Sequence, residues 1–201
     1  MPRRLTGSGV WNNADSMKSG MGVNSIISTN IRVRLPDDFI VGDYSIVDDF
    51  CYFSTRVSIG RFCHIANGVS IGGGKDQAFV MADYSSVSAG ARIWCASDDF
   101  TCDMAAITPP EITIQKNMIT GNVIMEELTI VGSNCVVMPS NRIPEGVAIG
   151  ALSFVPPDYD FEPWTVYAGT PIRAVKKRDR VSVQNQKRSL EEQFAELQSA
   201  T

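Results

Sequence analysis

The sequence predicts an all-β solenoid, and three observations predict it. A large apolar residue recurs at every sixth position over long stretches, a small residue follows most of these four places on, and in the run from Val41 to Ile71 a Gly, Asp, Ser or Ala stands directly after the large one. Helices need apolar spacing near 3.6 and simple sheets a spacing of 2, so a period of six implies a short strand and a turn repeated as one unit.

The repeat can be followed along the chain. A weak first turn is readable at Ile27 and Val33. From Val41, steps of six give Val47, Phe53, Ile59, Ile65 and Ile71, with Ser45, Cys51, Val57, Cys63 and Val69 as small partners. The step from Ile71 to Met81 is ten, so "GGGKDQAF" holds an excursion. Met81, Val87 and Ile93 resume the pattern with Ser85, Ala91 and Ser97. A non-repeating stretch follows over 98–124, long enough to protrude as a functional loop or lid. Met125, Val131, Val137, Ile143, Ile149 and Val155 form the last run, with Thr129, Cys135, Asn141, Val147 and Ser153. The expected organisation is an N-terminal segment 1–26, a solenoid 27–156 and a C-terminal segment 157–201. Leu190, Phe194 and Leu197 give that last segment an amphipathic helix, packed on the solenoid or on a neighbouring subunit.

At 201 residues the chain fits one domain with a small appendage. A composition 44% hydrophobic and 20% charged with net charge -4 fits a folded, mildly acidic protein and disfavours nucleic acid as a partner. There is no apolar run of about 18 residues and no signal-peptide pattern, so a cytoplasmic location without a membrane span is expected. Cys51, Cys63 and Cys135 occupy small inward slots and are expected to be reduced core residues.

The single histidine, His64, lies between the inward positions Cys63 and Ile65, so strand alternation points it outward. One histidine cannot supply the three imidazoles of a zinc hydratase, and no metal is expected.

The large-small-x-x-small-x pattern resembles the hexapeptide repeat of left-handed parallel β-helices, most of which are acyltransferases. The segments "DDFCYFSTRVSIGRFCHIANGVSIGG", "DYSSVSAGARIWCASDDF" and "VPPDYDFEPWTVYAGTPIRAVKKR" are similar to bacterial N-acyltransferases of dTDP-4-amino-4,6-dideoxyglucose. The resemblance implies a nucleotide-linked amino sugar as acceptor, acetyl-CoA or another CoA thioester as donor, a homotrimer with clefts between subunits, and a role in surface polysaccharide synthesis. It implies His64 as general base, which suits loss of a proton from an attacking amine. Asp98 and Asp99 match the family's acidic pair and, with Arg92, are candidate substrate contacts. Small residues Gly132, Ser133, Gly150 and Ala151 are candidates for the path of the pantetheine arm, and Arg173, Lys176 and Lys177, with Arg178 beside them, for the CoA phosphates. Ala89-Gly90, the charged excursion "GGGKD" and the inward Asn141 depart from the family pattern. O-acetylation of a sugar or antibiotic hydroxyl by the same base is the alternative chemistry, and a purely structural β-helix the alternative without chemistry.

Overall fold

The computed structural model describes residues 20–104, 109 and 111–199, so most of the N-terminal segment expected over 1–26 lies outside the described residues. Between them runs a parallel β-helix of triangular section. Its first face stacks Ile26–Ile27, Ile46–Val47, His64–Ile65, Ser86–Val87, Ile130–Val131, Ala148–Ile149 and Thr165–Ala168 in parallel, with Arg173–Lys177 closing the end antiparallel. The registers Ile46↔His64, Ile130↔Ala148 and Ala148↔Val166 are each eighteen residues apart, three repeats of six to a coil.

The second face carries Arg32–Val33, Arg92–Trp94, Val136–Val137 and Phe154–Val155. Two long strands, Tyr52–Ile59 and Ser70–Met81, run from this face into the third, where Phe39–Val41, Val123–Met125 and Arg142–Ile143 stack with them. The "GGGKDQAF" excursion is a bulge inside the second of these strands. The register moves from Phe53↔Ile71 to Thr55↔Gly74 and then to Arg56↔Ala78, and the buried Thr55 hydroxyl donates to the Gln77 carbonyl at 2.8 Å.

Why six residues suffice per face is visible in the core. Val47, Phe53, Ile59, Ile65, Ile71, Met81, Val131, Val137, Ile143 and Ile149 are all buried, each contributing on the order of 1.5 to 3 kcal/mol. The small partners are buried with them, Ser45, Ser85, Thr129 and Ser153 included. Their hydroxyls bond carbonyls at the corners, as Ser45 does to Gly60 at 2.8 Å. Asn141 is accommodated in the same way. Its Nδ2 donates to the carbonyls of Met138 (2.8 Å) and Pro156 (2.9 Å), and its Oδ1 accepts from the Tyr159 amide (3.1 Å). Cys51, Cys63, Cys95 and Cys135 are buried free thiols, and burial pushes the first three up to about 11.

One inward assignment differs. Ser97 is only half-buried, because the chain leaves the stack after the fully buried Cys95. Ala96–Ser97 instead pairs antiparallel with Ile119–Thr120, which ties the two ends of the long loop together.

The corners between third and first faces need a left-handed residue, and Tyr44, Phe62, Tyr84, Leu128 and Trp164 supply it with φ between 55 and 61°. Stacked one coil apart, Tyr44, Phe62 and Tyr84 form a ladder of nearly parallel rings at 5.4 and 5.3 Å. The C-terminal helix α1 (Arg180–Ser199) lies along this corner. Phe194 meets Tyr44 and Phe62 edge-on at 4.8 and 5.3 Å, Tyr84 Oη donates to Glu191 at 2.9 Å, and Lys187 pairs with Glu127 at 2.7 Å. At the helix start Arg180 covers the Trp164 ring, while Arg178 caps the carbonyls of Leu128 and Gly146. Five inter-strand steps of about 4.8 Å separate Trp164 from Tyr44, which the fourteen residues from Arg180 to Phe194 span at about 1.5 Å each.

Candidate active site

His64 opens its strand on the first face and points to solvent, its side chain 50% exposed. Its neighbours in the outward ladder are Ile46 on the coil below and Ser86 on the coil above. The imidazole Nε2 lies 2.9 Å from Asp48 Oδ2. A carboxylate can only accept, so Nε2 carries a proton, and in the neutral imidazole the lone pair is on Nδ1. With both partners this exposed the ion pair adds little stability; its effect is to choose the tautomer and fix the ring.

Asp48 was not among the candidates read from the sequence. The signal existed: Asp48 directly follows inward Val47, hence faces outward, and lies sixteen residues before His64, within one coil. Recognising it required the eighteen-residue register, which brings the two side chains together diagonally across neighbouring strands.

The other candidates fall in three places. Asp98 and Asp99 begin the long loop, beyond the second face. Asp98 pairs with Lys116 at 2.9 Å, fastening the start of the loop to its return. Asp99 accepts from the amide and hydroxyl of Thr101 and from the Cys102 thiol, bonds that hold its carboxyl below its ordinary range. Neither has a recorded contact with His64. Arg92 folds over the corner between first and second faces, its NH1 donating to the carbonyls of Gly68 (2.8 Å), Gly90 (2.7 Å) and Ala91 (3.3 Å). Gly90 has φ of 72°, in the left-handed region that favours glycine, and a Cβ there would also displace the Asn134 side chain, whose Oδ1 it would meet at 2.2 Å.

Above His64 its own ladder runs through Ser86, Ile130, Ala148 and Val166, and the ladder beside it is small. Ala66, Ser88, Gly132, Gly150 and Ala168 follow one another in the outward slot after each inward residue. A Cβ on Gly132 would meet the Ala151 amide nitrogen at 2.5 Å, and one on Gly150 the Ala168 Cβ at 3.2 Å. Ser133 and Ala151 are the next residues, in the turns. At the end of the same face Arg173, Lys176 and Lys177 lie on the exposed closing strand. Lys177 is engaged by Glu162 at 2.5 Å and by Thr165, and Arg178 by the helix corner. Arg173 and Lys176 remain exposed to solvent. Among the described residues no group of three or more His, Cys, Asp or Glu side chains could hold a metal ion, and no helix is long and apolar enough to cross a membrane.

A β-helix of six-residue repeats is the architecture of the hexapeptide-repeat acyltransferases, a left-handed β-helix class. No family model matches the chain. It is 31% identical over 166 residues, 80% of this chain and 82% of the relative, to the dTDP-4-amino-4,6-dideoxy-D-glucose acyltransferase of Escherichia coli. A probable macrolide acetyltransferase of Lysinibacillus sphaericus is 28% identical over 63% of each chain. Among solved structures, AntD, an N-acyltransferase of Bacillus cereus crystallised with dTDP and 3-hydroxybutyryl-CoA, superposes with a TM-score of 0.78 at 33% identity, covering 90% of this chain and 95% of AntD. The chain therefore belongs to the dTDP-4-amino-4,6-dideoxyglucose acyltransferase family, and it is an acyltransferase of the hexapeptide-repeat type.

Proposed function

We propose that the protein transfers an acyl group from a CoA thioester to the amino group of a dTDP-linked 4-amino-4,6-dideoxy sugar, with His64 as general base. The observation that carries the mechanism is the 2.9 Å contact between His64 Nε2 and Asp48, which leaves Nδ1 as the proton acceptor. The sugar nitrogen attacks the thioester carbonyl and loses a proton to Nδ1. The C–S bond then breaks, and the departing thiolate recovers the proton as free CoA. AntD crystals with dTDP-4-amino-4,6-dideoxyglucose and with CoA support this choice of substrates, as does the 80% coverage by the Escherichia coli relative.

The donor is placed along the upper part of the first face. The closing strand lies five strand steps above His64, roughly 24 Å, a length suited to an extended CoA with its phosphates at Arg173 and Lys176 and its sulfur at His64. Replacing both with Ala should raise the apparent KM for the thioester, more at low salt than at high, and leave that for the sugar nearly unchanged. Thiol release from the purified protein, supplied with acyl-CoA and the dTDP amino sugar, reads both the activity and this split. An unchanged donor KM would move the phosphate site elsewhere, and no release with the sugar would refute the activity.

The assembly follows from where the acidic pair lies. His64 is on the first face and Asp98 beyond the second, so one chain does not close the cleft. We place Asp98 of one copy against His64 of the next in a homotrimer. Light scattering should return three times the monomer mass, and a monomer at micromolar concentration would count against this arrangement. The product, an acylated nucleotide sugar, is an activated glycosyl donor of the kind a cytoplasmic step of surface polysaccharide synthesis supplies.

A further inference from the structure

We infer that the Ser86 hydroxyl is the donor that stabilises the oxyanion formed when the sugar nitrogen attacks the thioester; this rests on the N-acyltransferase reading above. Ser86 stands directly above His64 in the same outward ladder, on the side of the basic closing strand. Neighbouring strands are about 4.8 Å apart, so a carbonyl lying over the two side chains can be about 3 Å from the imidazole and from the hydroxyl at once.

A developing oxyanion needs a hydrogen-bond donor or a cation beside it, and the first face offers few. Between His64 and the closing strand both outward ladders are uncharged, and only Ser86 and Ser88 carry a polar side chain. The strand amides around the imidazole are already used: those of His64, Ala66, Ser86 and Ser88 donate to the carbonyls of Ser85, Val87, Thr129 and Val131 at 2.8 to 3.1 Å. Arg92, at the adjoining corner, is turned onto the carbonyls of Gly68, Gly90 and Ala91. The inward Ser45 and Ser85 hydroxyls bond carbonyls of the stack, whereas those of Ser86 and Ser88 have no protein partner among the described residues. Of this pair Ser86 shares the imidazole's ladder, while Ser88 stands over Ala66, diagonally about 7 Å from His64.

In the reaction the nitrogen lone pair forms the C–N bond while the C=O π pair moves onto oxygen, which accepts a hydrogen bond from Ser86 Oγ. Ser86 keeps its proton. The proton on nitrogen passes to His64 Nδ1, the C=O bond re-forms as C–S breaks, and the departing thiolate takes that proton.

Ser86→Ala should lower kcat and kcat/KM together by about 100-fold with either KM little changed, because the bond is strong only to the charged oxygen. Ser86→Thr keeps a hydroxyl and suits a strand, so it should recover most of the rate. The acid limb of the pH profile should persist in Ser86→Ala, since the His64 and Asp48 pair is untouched. Thiol release from acyl-CoA in the presence of the dTDP amino sugar reads these quantities. Wild-type kcat in Ser86→Ala, or an equal or larger loss in Ser88→Ala, would overturn the inference while the N-acyltransferase reading stood. So would disappearance of the acid limb in Ser86→Ala or no recovery in Ser86→Thr, which would mark a disturbance of His64 instead. A wild-type protein that releases no thiol would refute the underlying reading and this role with it.

Discussion

His64→Ala is expected to lower kcat by about 100-fold to 10,000-fold while leaving the fold intact, the usual scale for losing a general base. The fold should survive because His64 is half exposed and its backbone amide, not its ring, bonds Ser85 on the next coil at 3.1 Å. The KM for the sugar should change less. Protonation removes the lone pair on Nδ1, so wild-type kcat/KM should decline at acid pH, and that limb should be missing from the residual rate of the variant. Asp48→Asn keeps the side chain's shape but can donate to Nε2 as well as accept from it, so the tautomer is no longer fixed. Its kcat should fall, though less than that of His64→Ala. A folded His64→Ala protein with near-normal turnover would leave His64 a surface residue and move the search for a base to Asp98.

The second large effect concerns the core. Phe53 is completely buried, with Phe39 tilted against it at 4.9 Å between ring centres, and its strand is paired on both sides. Phe53→Ala should cost about 3 to 5 kcal/mol of stability, since neighbouring coils are fixed by their ladders and cannot collapse into the cavity. Phe100→Ala, at a loop position 83% exposed, should change stability by about 0.5 kcal/mol or less. Denaturant titration of the two variants checks the inward-outward frame, which would be wrong if both lost stability alike.

The aromatic corner illustrates a contribution no period reveals. Tyr44 and Phe62 are eighteen residues apart, but Phe62 and Tyr84 are twenty-two apart because the bulge in Ser70–Met81 intervenes. Only the folded coil brings the three rings into one stack on which Phe194 can sit.

The sequence by itself determined the solenoid, its inward residues and the outward direction of His64. All of these follow from local alternation and a strict six-residue period, because in a solenoid each unit buries its apolar residue against near neighbours in the chain. The tertiary structure decided which outward side chains meet. Which outward side chains face one another depends on how whole coils stack, and the lengths of the bulge and of the long loop carry no period, so the diagonal pairing of Asp48 with His64, the fastening of Asp98 by Lys116 and the stacking of Phe62 on Tyr84 became visible only in the folded chain.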